Sequence, residues 1–114
     1  MTKEETSVIK KIQKVVEEFR KLDGEMPMQM ASTFMVVARH QGITMKDIAE
    51  KVGVTQSSVS RNIGALGSRH RYGKEGLKLV KTEEDDIDIR RKVVHLTPKG
   101  TKFVASLVEI LQEN

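Results

Sequence analysis

Between Ile43 and Leu66 the chain reads ITMKDIAEKVGVTQSSVSRNIGAL, and this stretch constrains the fold more than any other. Ile48, Ala49, Val52, Val54, Val59 and Ile63 fall at helical spacings that bury one face of each of two short helices. Ala49 is small where those helices would cross closely, and Gly53 stands where the chain must turn with a positive φ. Thr55 offers a hydroxyl to cap the second helix, expected over residues 55–69. On that helix Gln56, Ser57, Ser58, Ser60, Arg61 and Asn62 alternate with the core positions Val59 and Ile63. A purely structural surface more often carries Glu and Lys. Short hydroxyls with Gln, Asn and Arg suit close approach to base edges and phosphates. The pattern is that of a helix-turn-helix, with a plain helical hairpin as the alternative.

The flanking segments give the order of elements. Val8, Ile9, Ile12, Val15, Val16, Phe19 and Leu22 make an apolar stripe on a helix from Thr6 to Leu22, with Lys and Glu opposite. Pro27 suits the first position of a second helix running to about His40, and Gly42 stops it. After Leu66 comes the glycine-punctuated basic link GSRHRYGKEG. Leu77–Thr82 and Ile89–Thr97 read as two strands of a hairpin with an acidic EEDDID tip between them. A last helix opens at Pro98 and carries Phe103, Val104, Leu107, Val108 and Leu111 on one stripe. The expected fold class is mainly α with a small β-hairpin wing, a winged helix-turn-helix.

One domain over 1–114 suits the length, with terminal helices at about 6–22 and 98–112 as the dimerisation region. With only four aromatic residues, the core is expected to be mainly aliphatic. The formal charge of +4 is compatible with a polyanionic partner but decides little alone. There are no cysteines, which excludes disulfides and thiolate zinc sites. No apolar run approaches a membrane span, and MTKEETSVIKK lacks the pattern of a signal peptide, so a cytoplasmic protein with no membrane partner is expected.

Two segments, Ser57–Asn62 and DDIDIRRKVVHLTPKG from Asp85 to Gly100, resemble the MarR family of winged-helix transcriptional regulators, particularly its short phage- or plasmid-type members. Asp85, Asp88, Arg90 and the run Leu96-Thr97-Pro98-Lys99-Gly100 match the family pattern position by position. The resemblance covers nearly the whole chain and implies a homodimer held by terminal helices of both copies. It departs from the family at Ile87, where many relatives carry an arginine that enters the minor groove, and in the acidity of Glu83–Asp86. One helix follows the wing where longer relatives often have two, which implies a smaller or differently built dimer interface.

The residues then divide by chemistry. Arg61 can read guanine and Asn62 adenine, each with two hydrogen bonds, while Thr55, Gln56, Ser57, Ser58 and Ser60 flank them on the same helix. Gln56, Ser57 and Ser58 suit phosphate. Arg69, His70, Arg71 and Lys74 form a second basic cluster, either clamping phosphate or lying in a solvated loop. Lys78, Lys81, Arg90, Arg91 and Lys92 on the wing either face phosphates or, as for Arg90, pair with Asp85 or Asp88. Val8, Ile9, Ile12, Val16 and Phe19, with Phe103, Leu107 and Leu111, are expected at a homodimer interface rather than under the chain's own last helix.

No histidine has a partner at metal-ligand spacing, and no nucleophile, paired carboxylate or phosphate-cradling glycine pattern stands out. No cofactor, metal or enzyme activity is expected. A small-molecule effector between Met28, Met30, Phe34 and Met35 is allowed by the resemblance, with ordinary core as the alternative. The expected function is a sequence-specific, double-stranded DNA-binding regulator, a homodimeric repressor at an inverted repeat. The alternative is a winged-helix module for protein interaction or for replication and partition.

Overall fold

The computed structural model describes residues 1–68, 73–85, 87 and 91–113. The amino-terminal stripe forms helix α1 (Lys3–Leu22), which starts three residues earlier than the apolar spacing indicates. A capping box supplies the extra length. Glu5 N–H donates to Thr2 Oγ1 at 3.0 Å and Thr2 N–H donates to Glu5 Oε1 at 2.8 Å, satisfying two helix-end donors. The Thr2 backbone N–H, reinforced by the Thr2 hydroxyl, holds the Glu5 carboxyl below the usual glutamate pKa.

Helix α2 (Met28–Arg39) begins one residue later than expected, because Pro27 is extended and serves as its cap. Ile43 and Thr44 do not open the next helix. They form a two-residue strand, β1 (Ile43–Thr44), and Thr44 Oγ1 then accepts the Asp47 N–H at 3.1 Å to start α3 (Met45–Val52). The turn occurs as the sequence indicates, with Gly53 at φ 79° and Thr55 capping α4 (Gln56–Leu66).

Helix α4 ends at Leu66 rather than at residue 69. Its last carbonyls are taken by the returning chain. Leu77 N–H donates to Ala65 O at 2.9 Å, Leu79 N–H to Leu66 O at 2.8 Å, and Lys78 N–H to Gly67 O at 2.8 Å. Residues 77–79 are therefore a strap on the end of α4, and the first wing strand is displaced to β2 (Val80–Glu84). The second is β3 (Lys92–Leu96), paired antiparallel with β2 from Val80↔Leu96 to Glu84↔Lys92. Ile43 pairs with Val94, so the sheet has three strands in the order β1-β3-β2 instead of two.

The Leu-Thr-Pro-Lys-Gly run fixes the other side of the strap. Thr97 caps α5 (Pro98–Gln112), its Oγ1 accepting the Gly100 N–H at 3.0 Å while donating to Lys78 O at 2.7 Å. Thr97 N–H donates to Leu79 O at 3.0 Å, and Lys99 Nζ to Leu77 O at 2.8 Å. A Cβ on Gly100 would stand 2.1 Å from the Leu79 carbonyl oxygen, so only glycine lets α5 approach this closely. Lys78 itself adopts φ 59°, unusual for a residue with a side chain.

Phe34, Val37, Ile48, Val59, Leu66, Leu79 and Val94 are fully buried between α2, the helix-turn-helix and the sheet. The core is mainly aliphatic, as composition indicates, with one aromatic cluster. Phe19, Phe34 and Phe103 form an edge-to-face triangle with centroids 5.1, 5.5 and 6.1 Å apart, joining α1, α2 and α5. None of the helices among the described residues is long and apolar enough to cross a membrane.

Candidate nucleic-acid interface

Helix α4 rests on α2 and α3 through Val59, Ile63, Ala65 and Leu66, all buried. That seating turns Gln56, Ser57, Ser60 and Arg61 to solvent, with Thr55 exposed at the cap and Ser58 half-buried. Thr55 Oγ1 accepts the Ser58 N–H and donates to Ser58 Oγ, both at 3.1 Å. Arg61 Nη2 reaches back to the same Ser58 Oγ at 3.1 Å. Among the described residues this is the guanidinium's one hydrogen bond, leaving most of its five donors directed outward. No acidic residue lies within α4.

Asn62 is a correction. It is 8% exposed, and its Nδ2 donates to Gln29 Oε1 at 3.0 Å and Thr33 Oγ1 at 3.5 Å on α2. It does not share the outward face with Arg61. The sequence signal was its spacing: Asn62 lies three residues after Val59 and four before Leu66, on the buried stripe.

The wing stands beside α4 across a cleft of about 320 Å³, lined by Ser60, Gly64 and Ser68 on one side and Lys81, Thr82 and Lys92 on the other. A second opening, about 590 Å³, lies between Thr44, Lys46, Gln56, Arg91 and Lys92. Lys92 therefore borders both, facing the two ends of the outward surface of α4. The wing's cations are partly matched within it. Lys81 Nζ lies 3.3 Å from Glu83 Oε1, Arg91 Nε 3.6 Å from Asp85 Oδ2, and Lys92 sits directly opposite Glu84. Such exposed pairs contribute little to stability, but three carboxylates against three cations offset the positive charge that these groups present.

Other expected contacts separate from this surface. Lys78 belongs to the strap and pairs with Glu75, whose carboxyl it draws below the usual pKa by a side-chain hydrogen bond. Lys74 is exposed beside a small cleft shared with Asp23, Met30 and Glu75, away from Ser60. Arg69, His70, Arg71, Asp86, Asp88 and Arg90 lie outside the described residues. An effector pocket between Met28, Met30, Phe34 and Met35 is not formed: Met30 and Phe34 are core, while Met28 is 81% exposed and Met35 faces solvent. No group of three or more potential metal ligands gathers among the described residues.

The apolar stripes split as well. Phe19 and Leu107 are buried within the chain's own core, so these two are not free for a partner as expected, while Phe103 is half-buried. Val8, Ile9, Ile12 and Val16 on α1 and Leu111 on α5 are exposed, joined by Val108.

A family model described as winged helix-turn-helix DNA-binding matches residues 36–69, from the end of α2 to just past α4. No curated protein matches the sequence. The structure is similar to S. aureus MepR in complex with DNA, at 28% identity and TM-score 0.70, covering 86% of this chain and 73% of that one. A mutant of S. aureus MepR bound to an oligodeoxyribonucleotide is similar at 29% identity and TM-score 0.69, covering 89% and 67%. A MarR transcriptional regulator from Methanosarcina mazei Go1 shares the fold at 19% identity and TM-score 0.66, covering 84% and 62%. Fold and matched segment together show a winged helix-turn-helix, with an architecture similar to that of S. aureus MepR and of a MarR transcriptional regulator.

Proposed function

We propose that this protein is a sequence-specific, duplex DNA-binding transcriptional regulator, acting as a homodimeric repressor at an inverted repeat. The observation that carries the reading is the outward face of α4. It joins Gln56, Ser57, Ser60 and Arg61 without one carboxylate in the helix, with Lys92 across the adjoining clefts. The capture of MepR on DNA, at 28% identity, supports it.

In this reading α4 enters the major groove. Arg61 meets a guanine edge, while Thr55, Gln56, Ser57 and Ser58 near the positive end of the helix dipole meet phosphate oxygens. Lys92, and Lys81 from the neighbouring strand, approach the backbone beside the groove. The exposed stripe of Val8, Ile9, Ile12 and Val16 supports a second copy of the chain as its cover, because residues 1–10 are exposed on every side of α1. A two-fold pair would set two α4 helices about one DNA turn apart, roughly 34 Å. Repression requires only that such a dimer occupy a promoter.

Selection of the full chain against random duplex DNA, with competitor at near-physiological salt, tests the proposal. Enrichment of an inverted repeat with half-sites one turn apart is expected. Recovery of unrelated sequences by folded protein would reject sequence-specific reading.

A further inference from the structure

Asn62 is the one polar side chain on the buried face of α4, and its position gives it a different task from the one its neighbours suggest. We propose that Asn62 is a positioning residue: its amide, held by Gln29 and Thr33 of α2, fixes the rotation of α4 and thereby which base edge Arg61 meets. The inference rests on the DNA reading above and deepens it.

The rest of the seat of α4 is Val59, Ile63, Ala65 and Leu66. Apolar contact is non-directional, so such a seat tolerates small rotations at little cost. A hydrogen bond does not, since it weakens steeply as distance and angle depart from the optimum. Asn62 supplies that direction twice. Nδ2 meets Gln29 Oε1 at 3.0 Å, and Thr33 Oγ1 lies 3.5 Å away. The Thr33 hydroxyl donates its proton to Gln29 O at 2.9 Å, which leaves its lone pairs for the asparagine.

Displacing Asn62 would leave a buried amide short of partners, which costs more than the bonds themselves contribute. The lever is short but sufficient. With side chains reaching roughly 5–6 Å from the helix axis, a turn of about 10° moves their tips by about 1 Å. A two-bond contact to a base edge does not survive a shift of that size in good geometry.

The test compares full-length wild type with Asn62→Leu, an apolar replacement of similar size, and with Gln29→Met, which removes the acceptor from the exposed start of α2. Affinity is measured for the selected duplex and for a scrambled duplex of equal length across a salt series. Both variants should lower the ratio of the two affinities about tenfold, the loss of one well-made base contact, with the scrambled-duplex affinity and salt slope unchanged.

A DNA-free arm records backbone amide spectra. Signals of residues 56–66 should broaden or multiply in the variants, while those of α1 and α5 stay single. An unchanged affinity ratio in a folded Asn62→Leu, or a Gln29→Met indistinguishable from wild type, overturns the proposal. Should Asn62→Leu fail to fold, Gln29→Met decides alone. If wild type itself does not discriminate between duplexes, the DNA reading has failed. The amide spectra then rule on Asn62 separately, and one sharp set of α4 signals in both variants rejects its role.

Discussion

Ile12 is 48% exposed on the uncovered stripe of α1, flanked by Val8 at 49%, Ile9 at 52% and Val16 at 41%. In the proposed homodimer a second chain covers the exposed half. Complete burial of an isoleucine stabilises by about 1.5–3 kcal/mol, so covering half contributes roughly 1 kcal/mol. Two-fold symmetry counts the residue twice. Ile12→Ala should therefore weaken the dimer by roughly 2 kcal/mol, about 30-fold in dissociation constant. Met35→Ala is the matched control, because Met35 is 43% exposed on α2, outside the stripe. Sedimentation equilibrium over a wide concentration range separates a 12.9 kDa monomer from its dimer. A 30-fold shift for Ile12→Ala with none for Met35→Ala is expected. Equal constants for Ile12→Ala and wild type, or monomer at every concentration, would refute the assignment of this face.

Replacing Arg61 with Ala should cost about 1–3 kcal/mol at the selected site, roughly 5- to 150-fold by fluorescence anisotropy, and relax one base preference; undiminished affinity would place the reading surface elsewhere. Glu83→Gln with Glu84→Gln frees Lys81 and Lys92, so DNA should bind a few-fold more tightly at low salt with a steeper salt dependence, and unaltered binding would mean the wing stays clear of the backbone. Gly100→Ala forces a Cβ against the Leu79 carbonyl and should destabilise by about 3 kcal/mol, lowering Tm by roughly 10 °C or more in calorimetry. Because the Glu5 pKa is lowered in the folded chain, its contribution is present above the unfolded value and is lost as pH falls through the lowered one. Protection of the first α1 amides, relative to their intrinsic exchange rate at each pH, should fall on acidification through that range in wild type and far less in Glu5→Gln.

The helix-turn-helix was legible because its determinants are local. Gly53 turns the chain, Thr55 caps the helix, and Val59 and Ile63 mark the buried stripe, all within a dozen residues. What escaped depends on partners distant in sequence. Ile43 looks like the start of a helix until Val94 pairs with it, and Leu77 looks like a strand until Ala65 takes its N–H. Phe19 and Leu107 belong to apolar stripes that pattern alone cannot divide between an internal core and a partner surface. Asn62 was misread for another reason. Its residue type suits adenine, and that chemical argument outweighed a spacing that already placed it inside.

The same distinction explains what the Leu96–Gly100 run does physically. Three of its residues act on residues 77–79: Thr97 on Lys78 and Leu79, Lys99 on Leu77, and Gly100 by admitting the Leu79 carbonyl. Residues 77–79 give their N–H groups to the last carbonyls of α4 and Gly67. The start of α5 and the end of α4 are thus bound to opposite sides of one strap, and neither can shift without breaking several hydrogen bonds at once. If α5 helps set the spacing of two copies, that rigidity carries the spacing directly to the recognition helices. The distance between half-sites is then fixed by the strap as much as by the dimer face. Thr97→Val, which keeps the shape but removes the hydroxyl, should loosen tolerance for half-sites one base pair closer or farther apart. Retention of wild-type spacing preference in a folded Thr97→Val would show that the dimer face sets the distance alone.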